Sequence, residues 1–118
     1  MSLYNNGLKS LPKSMGILKS LEVLNLQQNL ITKLPHSIGD LTSLKQLDLS
    51  GNKLSNLPEF IGDLKFLETL ELAGNKLTEL PASIANLSSL TSISIFGNKI
   101  IEIPKFLKDM KEKGLRIY

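Results

Sequence analysis

The five prolines of this chain are Pro12, Pro35, Pro58, Pro81 and Pro104, each 23 residues after the last. Asn6, Asn29, Asn52, Asn75 and Asn98 keep the same interval. So do Leu11, Leu34, Leu57, Leu80 and Ile103, each directly before its proline, and Gly16, Gly39 and Gly62 form a further column that Ala85 interrupts. A period of this length restricts a chain to stacked copies of one small unit, because no copy can bury its apolar face alone.

Full units begin at Leu21, Leu44, Leu67 and Leu90, giving repeats 21–43, 44–66, 67–89 and 90–112. A half repeat, 3–20, precedes them, and a modified C-terminal cap over 104–118 overlaps the last. No linker or low-complexity stretch intervenes, so the 118 residues read as a single domain.

The second unit, LKQLDLSGNKLSNLPEFIGDLKF, shows how one copy folds. Leu47 and Leu49 alternate with Asp48, the period of a strand with one buried face. Asn52 follows where the chain must turn, and a buried amide there can donate to and accept from the backbone of neighbouring coils. Leu57, Ile61, Leu64 and Leu67 are spaced for one face of a short helical segment, with Pro58 at the first position of its turn. The fold class is therefore α/β: a solenoid of strand, turn and short helix, its strands aligned in a parallel sheet about 4.8 Å apart.

Composition narrows the chemistry. The chain has no cysteine, which removes disulfides, thiolate metal sites and cysteine nucleophiles. A net charge of +3, from 14 basic and 11 acidic residues, is too mild and too evenly spread to indicate a nucleic-acid partner. No apolar run approaches the roughly 20 residues that span a bilayer, so membrane insertion is not expected. Met1 to Ser20 lacks a charged-then-apolar export pattern, which leaves the cytoplasm as the default compartment.

Candidate catalytic groups are few. His36 is the only histidine, and Lys13, Glu59, Ala82 and Lys105 hold its position in other units, which marks a solvated outer site. Asp48 and Glu71 share a strand position in adjacent units; close carboxylates can serve as acid and base, but a negatively charged docking stripe is the better reading. Lys53, Lys76 and Lys99 form a column of turn residues. Asn86-Leu87-Ser88 matches a glycosylation sequon, relevant only in a eukaryotic secretory pathway. No phosphate loop, zinc spacing or calcium loop occurs, and no cofactor is expected.

Taken together, LxxLxLxxNxLxxLPxxIGxLxx resembles the 23-residue leucine-rich repeats of bacterial proteins such as those of leptospires. It is similar also to the plant intracellular and Ras-pathway scaffold types. The resemblance implies a horseshoe arc with a concave parallel sheet and short helices or 3-10 turns on the convex side. It also implies protein–protein recognition as the usual activity. The last unit departs from the pattern: isoleucines stand at Ile93, Ile95, Ile100 and Ile103, and Pro104 to Lys113 reads as a true helix ended by Gly114. Leu115 to Tyr118 reads as a final strand. The chain begins in mid-repeat at Leu3 without an amphipathic cap, which points to a truncated fragment or an end covered by another subunit.

Three rows of outward strand positions follow from the lattice. The first is Val23, Gln46, Thr69 and Ser92; the second is Asn25, Asp48, Glu71, Ser94 and Arg116; the third is Tyr4, Gln27, Ser50, Ala73, Phe96 and Tyr118. The repeat does not constrain these positions, so their variety fits recognition. Expected partner-binding residues are Gln27, Gln46, Asp48, Thr69, Glu71, Ser94, Phe96, Arg116 and Tyr118. Phe60 and Phe66, where other units mostly carry serine, are expected to pack between coils. The leading function is a protein-interaction module using the concave sheet; the alternative is a structural solenoid that associates weakly with itself through its N-terminal end.

Overall fold

A computed structural model describes all residues, 1–118. The chain climbs as a coil of strand, turn and 3-10 segment. Strands β1 (Val23–Asn25), β2 (Gln46–Asp48), β3 (Thr69–Glu71), β4 (Ser92–Ser94) and β5 (Arg116–Ile117) form one parallel sheet in sequence order. The convex side carries 3-10 turns at Lys13–Ile17, His36–Asp40, Glu59–Asp63 and Ala82–Asn86, then one α-helix, α1 (Lys105–Glu112). Ser2 bridges to Asn25, so the first residues extend the sheet on its N-terminal edge.

The leucine positions make one continuous core from Leu11 to Leu115. The four residues spaced for a helical face, Leu57, Ile61, Leu64 and Leu67, are all buried, although only Ile61 lies within the 3-10 turn. Each proline caps its outer segment from extended backbone, Pro58 at φ −70° and ψ 151°, rather than occupying the first helical position. Its carbonyl accepts the amide of the residue three further on, as Pro58 does from Ile61 at 3.1 Å.

The asparagine column is a hydrogen-bonded ladder. Asn52 is 6% exposed; its Oδ1 accepts from the Ile31 amide at 3.1 Å, and its Nδ2 donates to the carbonyls of Leu26 and Leu49, both at 2.9 Å. Asn29, one coil before, and Asn75 and Asn98, one and two coils after, repeat the arrangement. Each amide thus satisfies backbone groups that the turn strands inside the coil.

At the C-terminal end the helix closes with two backbone bonds, Gly114 N to Lys111 O at 3.0 Å and Leu115 N to Met110 O at 3.0 Å. Gly114 has φ +111°, open to glycine at no steric cost. Phe66 does not pack between coils as expected: it is 61% exposed. Phe60 is 41% exposed but lies against the preceding coil, beside Gly39 and His36.

Candidate functional site

The concave face is set by strand phase. Leu24, Leu47, Leu70 and Ile93 point into the core, so the residues on either side of each must point out. Pairing aligns Val23 with Gln46, Thr69, Ser92 and Arg116 in the first row. Arg116 therefore sits beside Ser92, not in the row of Ser94 as expected. Tyr118 takes that place instead: its amide donates to Ile93 O at 2.9 Å and its carbonyl accepts from Ile95 N at 2.8 Å, which sets it opposite Ser94.

The cause is the outer segment. Pro81 to Ser92 spans a 3-10 turn, whereas Pro104 to Arg116 spans α1 and is one residue longer. An α-helix advances about 1.5 Å per residue against about 2.0 Å for a 3-10 helix, so the same return path needs more residues.

Asn25, Gln46, Asp48, Thr69 and Glu71 line a shallow concave cavity of about 250 Å³ over β1 to β3, with Val23 at its rim. Asp48 is held in place: its Oδ1 accepts from the Ser50 amide at 2.9 Å, and its Oδ2 accepts from Gln27 Nε2. Neither Asp48 nor Glu71 has a cationic partner. The two ion pairs of the chain are Lys45–Glu22 at 3.1 Å and Lys105–Asp109 at 3.5 Å. The hydrogen bond and charge of Glu22 raise the Lys45 pKa above the usual lysine range.

The expected binding residues fall into two groups. Gln27, Gln46, Asp48, Thr69 and Glu71 cluster over the first three strands. Phe96 and Tyr118, 66% and 59% exposed, instead flank a groove of about 290 Å³ at the C-terminal end, floored by Ile95, Ile100, Ile103 and Ile117. Ser94 lies between the groups and is only 3% exposed, so it is not open to a partner. Ser94 stands between Glu71 and Tyr118 in its row, and its burial is not something that spacing alone reveals.

Other candidates resolve simply. His36 is exposed and stacks on Phe60, ring centroids 4.4 Å apart, which gives both a packing role. Lys53, Lys76 and Lys99 are exposed, and their amides donate to the preceding coil at 2.8–2.9 Å. No group of three or more histidine or acidic side chains is arranged to hold a metal ion. No helix is long and apolar enough to cross a membrane.

The family model for a leucine-rich repeat region matches residues 36–112, and a second leucine-rich-repeat model matches residues 1–54. The chain belongs to the leucine-rich-repeat family. A solved leucine-rich-repeat protein of Leptospira interrogans is 39% identical, with a TM-score of 0.90 over 100% of this chain and 30% of that one. The present chain thus spans less than a third of that leptospiral protein. A search of curated proteins returns no significant match. Leucine-rich repeats are generally protein-interaction modules, and the fold here is the same arc.

Proposed function

We propose that this leucine-rich-repeat chain is a binding module, not an enzyme, and that it docks another protein on its concave sheet. The observation that carries the reading is the cavity lined by Asp48 and Glu71, two carboxylates without cationic partners on a preformed surface. A partner that inserts a lysine or arginine side chain there would gain charge-assisted hydrogen bonds. Phe96 and Tyr118 offer exposed aromatic area, the residue type that most often anchors interfaces, and Arg116 stands on the edge strand beside them.

An affinity pull-down with mass spectrometry tests this. It compares the intact chain, an Asp48→Asn/Glu71→Gln variant, and a convex Phe66→Ala variant. A protein retained by the first and third but lost by the second supports the concave site. Retention by all three would overturn it.

A second reading rests on the N-terminal end. Leu3, Leu8, Leu11, Met15, Ile17 and Leu18 line an apolar hollow of about 360 Å³. Ile17 is 75% exposed and Met1 50%. Exposed apolar patches mark interaction surfaces, so this face favours weak self-association. Light scattering across a concentration series should show a rising mass that a grafted N-terminal cap abolishes. A constant monomer mass up to about millimolar concentration would exclude it.

A further inference from the structure

The side of the coil that runs from each strand to the next proline carries charge that the repeat does not demand. Lys53, Lys76 and Lys99 follow the ladder asparagines of three successive coils, and all three are exposed. Gly7 and Leu30 fill the same position earlier in the chain, so the fold accepts an uncharged residue there. Like charges stacked one coil apart, about 4.8 Å, repel one another and gain from a shared anion. Lys53 and Lys76 have a coil on both sides, yet neither has an acidic partner: the ion pairs of the chain are Lys45–Glu22 and Lys105–Asp109.

The backbone beneath this column is fixed. The amides of Lys53, Lys76 and Lys99 donate to the carbonyls of Ile31, Leu54 and Leu77 at 2.9, 2.8 and 2.8 Å. The amides that follow, of Leu54 and Leu77, donate to Oδ1 of Asn75 and Asn98, both at 3.0 Å. The asparagine ladder therefore holds the lysine stems in register, and charges held in register leave less to be ordered when a ligand binds. Two residues after Lys53 and Lys76, Ser55 and Thr78 present exposed hydroxyls, a second column of donors beside the first.

We propose that this ridge is a second docking surface, separate from the concave cavity, and that its occupant is an acidic segment of a protein partner in extended conformation. Charge complementarity carries the assignment. An extended segment sets every second side chain on one face, about 6.8 Å apart, a span that flexible lysine stems bridge from coils about 4.8 Å apart. Carboxylates at those positions accept charge-assisted hydrogen bonds from the ammonium groups and further bonds from the hydroxyls of Ser55 and Thr78. Glu79 and Glu102 follow three residues after Lys76 and Lys99 and border the ridge. They oppose a nucleic-acid strand, with a charge about every 3.4 Å, more than a peptide whose alternate residues are neutral. The cavity at Asp48 and Glu71 has the opposite sign, so the two surfaces select different segments.

The test is fluorescence anisotropy of a labelled peptide of alternating glutamate and serine, titrated with the whole chain at low salt. Exposed ion pairs are individually weak, so Lys53→Gln, Lys76→Gln and Lys99→Gln combined should lower the affinity by about tenfold. Arginine at the same three positions should retain it, and added salt should weaken it. Asp48→Asn/Glu71→Gln should bind the peptide no more weakly than the intact chain, which keeps this result apart from that of the concave site. Equal affinity for the intact chain and the glutamine variant would overturn the ridge, as would no binding by the intact chain up to about millimolar concentration. A single-stranded oligonucleotide bound more tightly than the peptide would overturn the peptide as its occupant.

Discussion

Asn52 shows what a single side chain contributes when its partners are all backbone. Replacing it with alanine leaves the Ile31 amide without its acceptor in a buried turn and takes one of two side-chain donors from each of the carbonyls of Leu26 and Leu49. A buried donor costs about 1–3 kcal/mol when left unpaired. Asn56 is exposed and forms no side-chain hydrogen bond, so Asn56→Ala should cost less than about 0.5 kcal/mol. Urea unfolding of the two variants should separate their midpoints clearly; coincident midpoints would mean the ladder is not a source of stability. A second residue works against the fold. The position before each asparagine is left-handed throughout: Gly51, Gly74 and Gly97 have φ near +70°, but Gln28 adopts φ 57° with a full side chain. That conformation costs a non-glycine residue about 1–2 kcal/mol, partly offset in a Gln28→Gly variant by the added freedom of the unfolded chain. Gln28→Gly should therefore raise the thermal midpoint slightly, equivalent to about 0.5–1 kcal/mol. A fall in midpoint on calorimetry would show that the Gln28 side chain, which lies over Gly51, contributes more by packing than the backbone loses.

At the scale of elements, the glycine column decides how closely the convex turns stack. A Cβ on Gly62 would lie 2.6 Å from the Ser83 carbonyl oxygen and 2.7 Å from Ser83 Cβ; one on Gly39 would lie 2.8 Å from the Phe60 carbonyl oxygen. Backbone cannot yield as a flexible side-chain tip does, so Gly62→Ala should destabilise by about 1–3 kcal/mol. Ala85 breaks the column where the next outer element is α1 and not a 3-10 turn. A groove of about 430 Å³ lies there, bordered by Ala85, Leu87, Met110 and Leu115, so the added methyl meets open space. Ala85→Gly should consequently bring no gain from relief of crowding. Thermal melts of both variants check the pair, and an undiminished midpoint for Gly62→Ala would show that the turns can slide apart at little cost. The serines beneath this stack are a related feature. Ser37 and Ser83 each bury a hydroxyl without a hydrogen-bond partner, which follows from the same close approach of turn to turn.

Across the whole molecule, the sheet separates a polar region over β1 to β3 from an aromatic end beside β5. Phe96 and Tyr118 are largely exposed, so Phe96→Ala combined with Tyr118→Ala should leave the thermal midpoint nearly unchanged while weakening partner binding by about 2 kcal/mol or more. Calorimetry paired with a binding titration distinguishes the outcomes: an unfolded double variant would place the rings in the core. Attraction at the Asp48 and Glu71 cavity should weaken as salt is added, because surface charges are screened over about 8–10 Å at ordinary ionic strength.

The repeat alone determined the architecture. Leu47 and Leu49 around Asp48, Asn52 at the turn and Leu57-Pro58 at the outer segment each carry a local physical requirement, and five registered copies leave little freedom for anything but a stacked coil. The exposed phase of Gln46, Asp48, Thr69, Glu71 and Phe96 was legible for the same reason, since a strand alternates faces with a period of two. What lay beyond the sequence depended on how one coil meets the next. The helix of the last outer segment was legible, but the one residue it adds to the repeat, which sets Arg116 beside Ser92 and Tyr118 beside Ser94, was not. Ser94 has the outward phase and is nonetheless buried, which periodicity could not show. That Phe60 meets Gly39 and His36 of the preceding coil while Phe66 stays exposed also depended on how the turns stack. Periodicity fixes which way a residue points; only stacking decides what stands beside it.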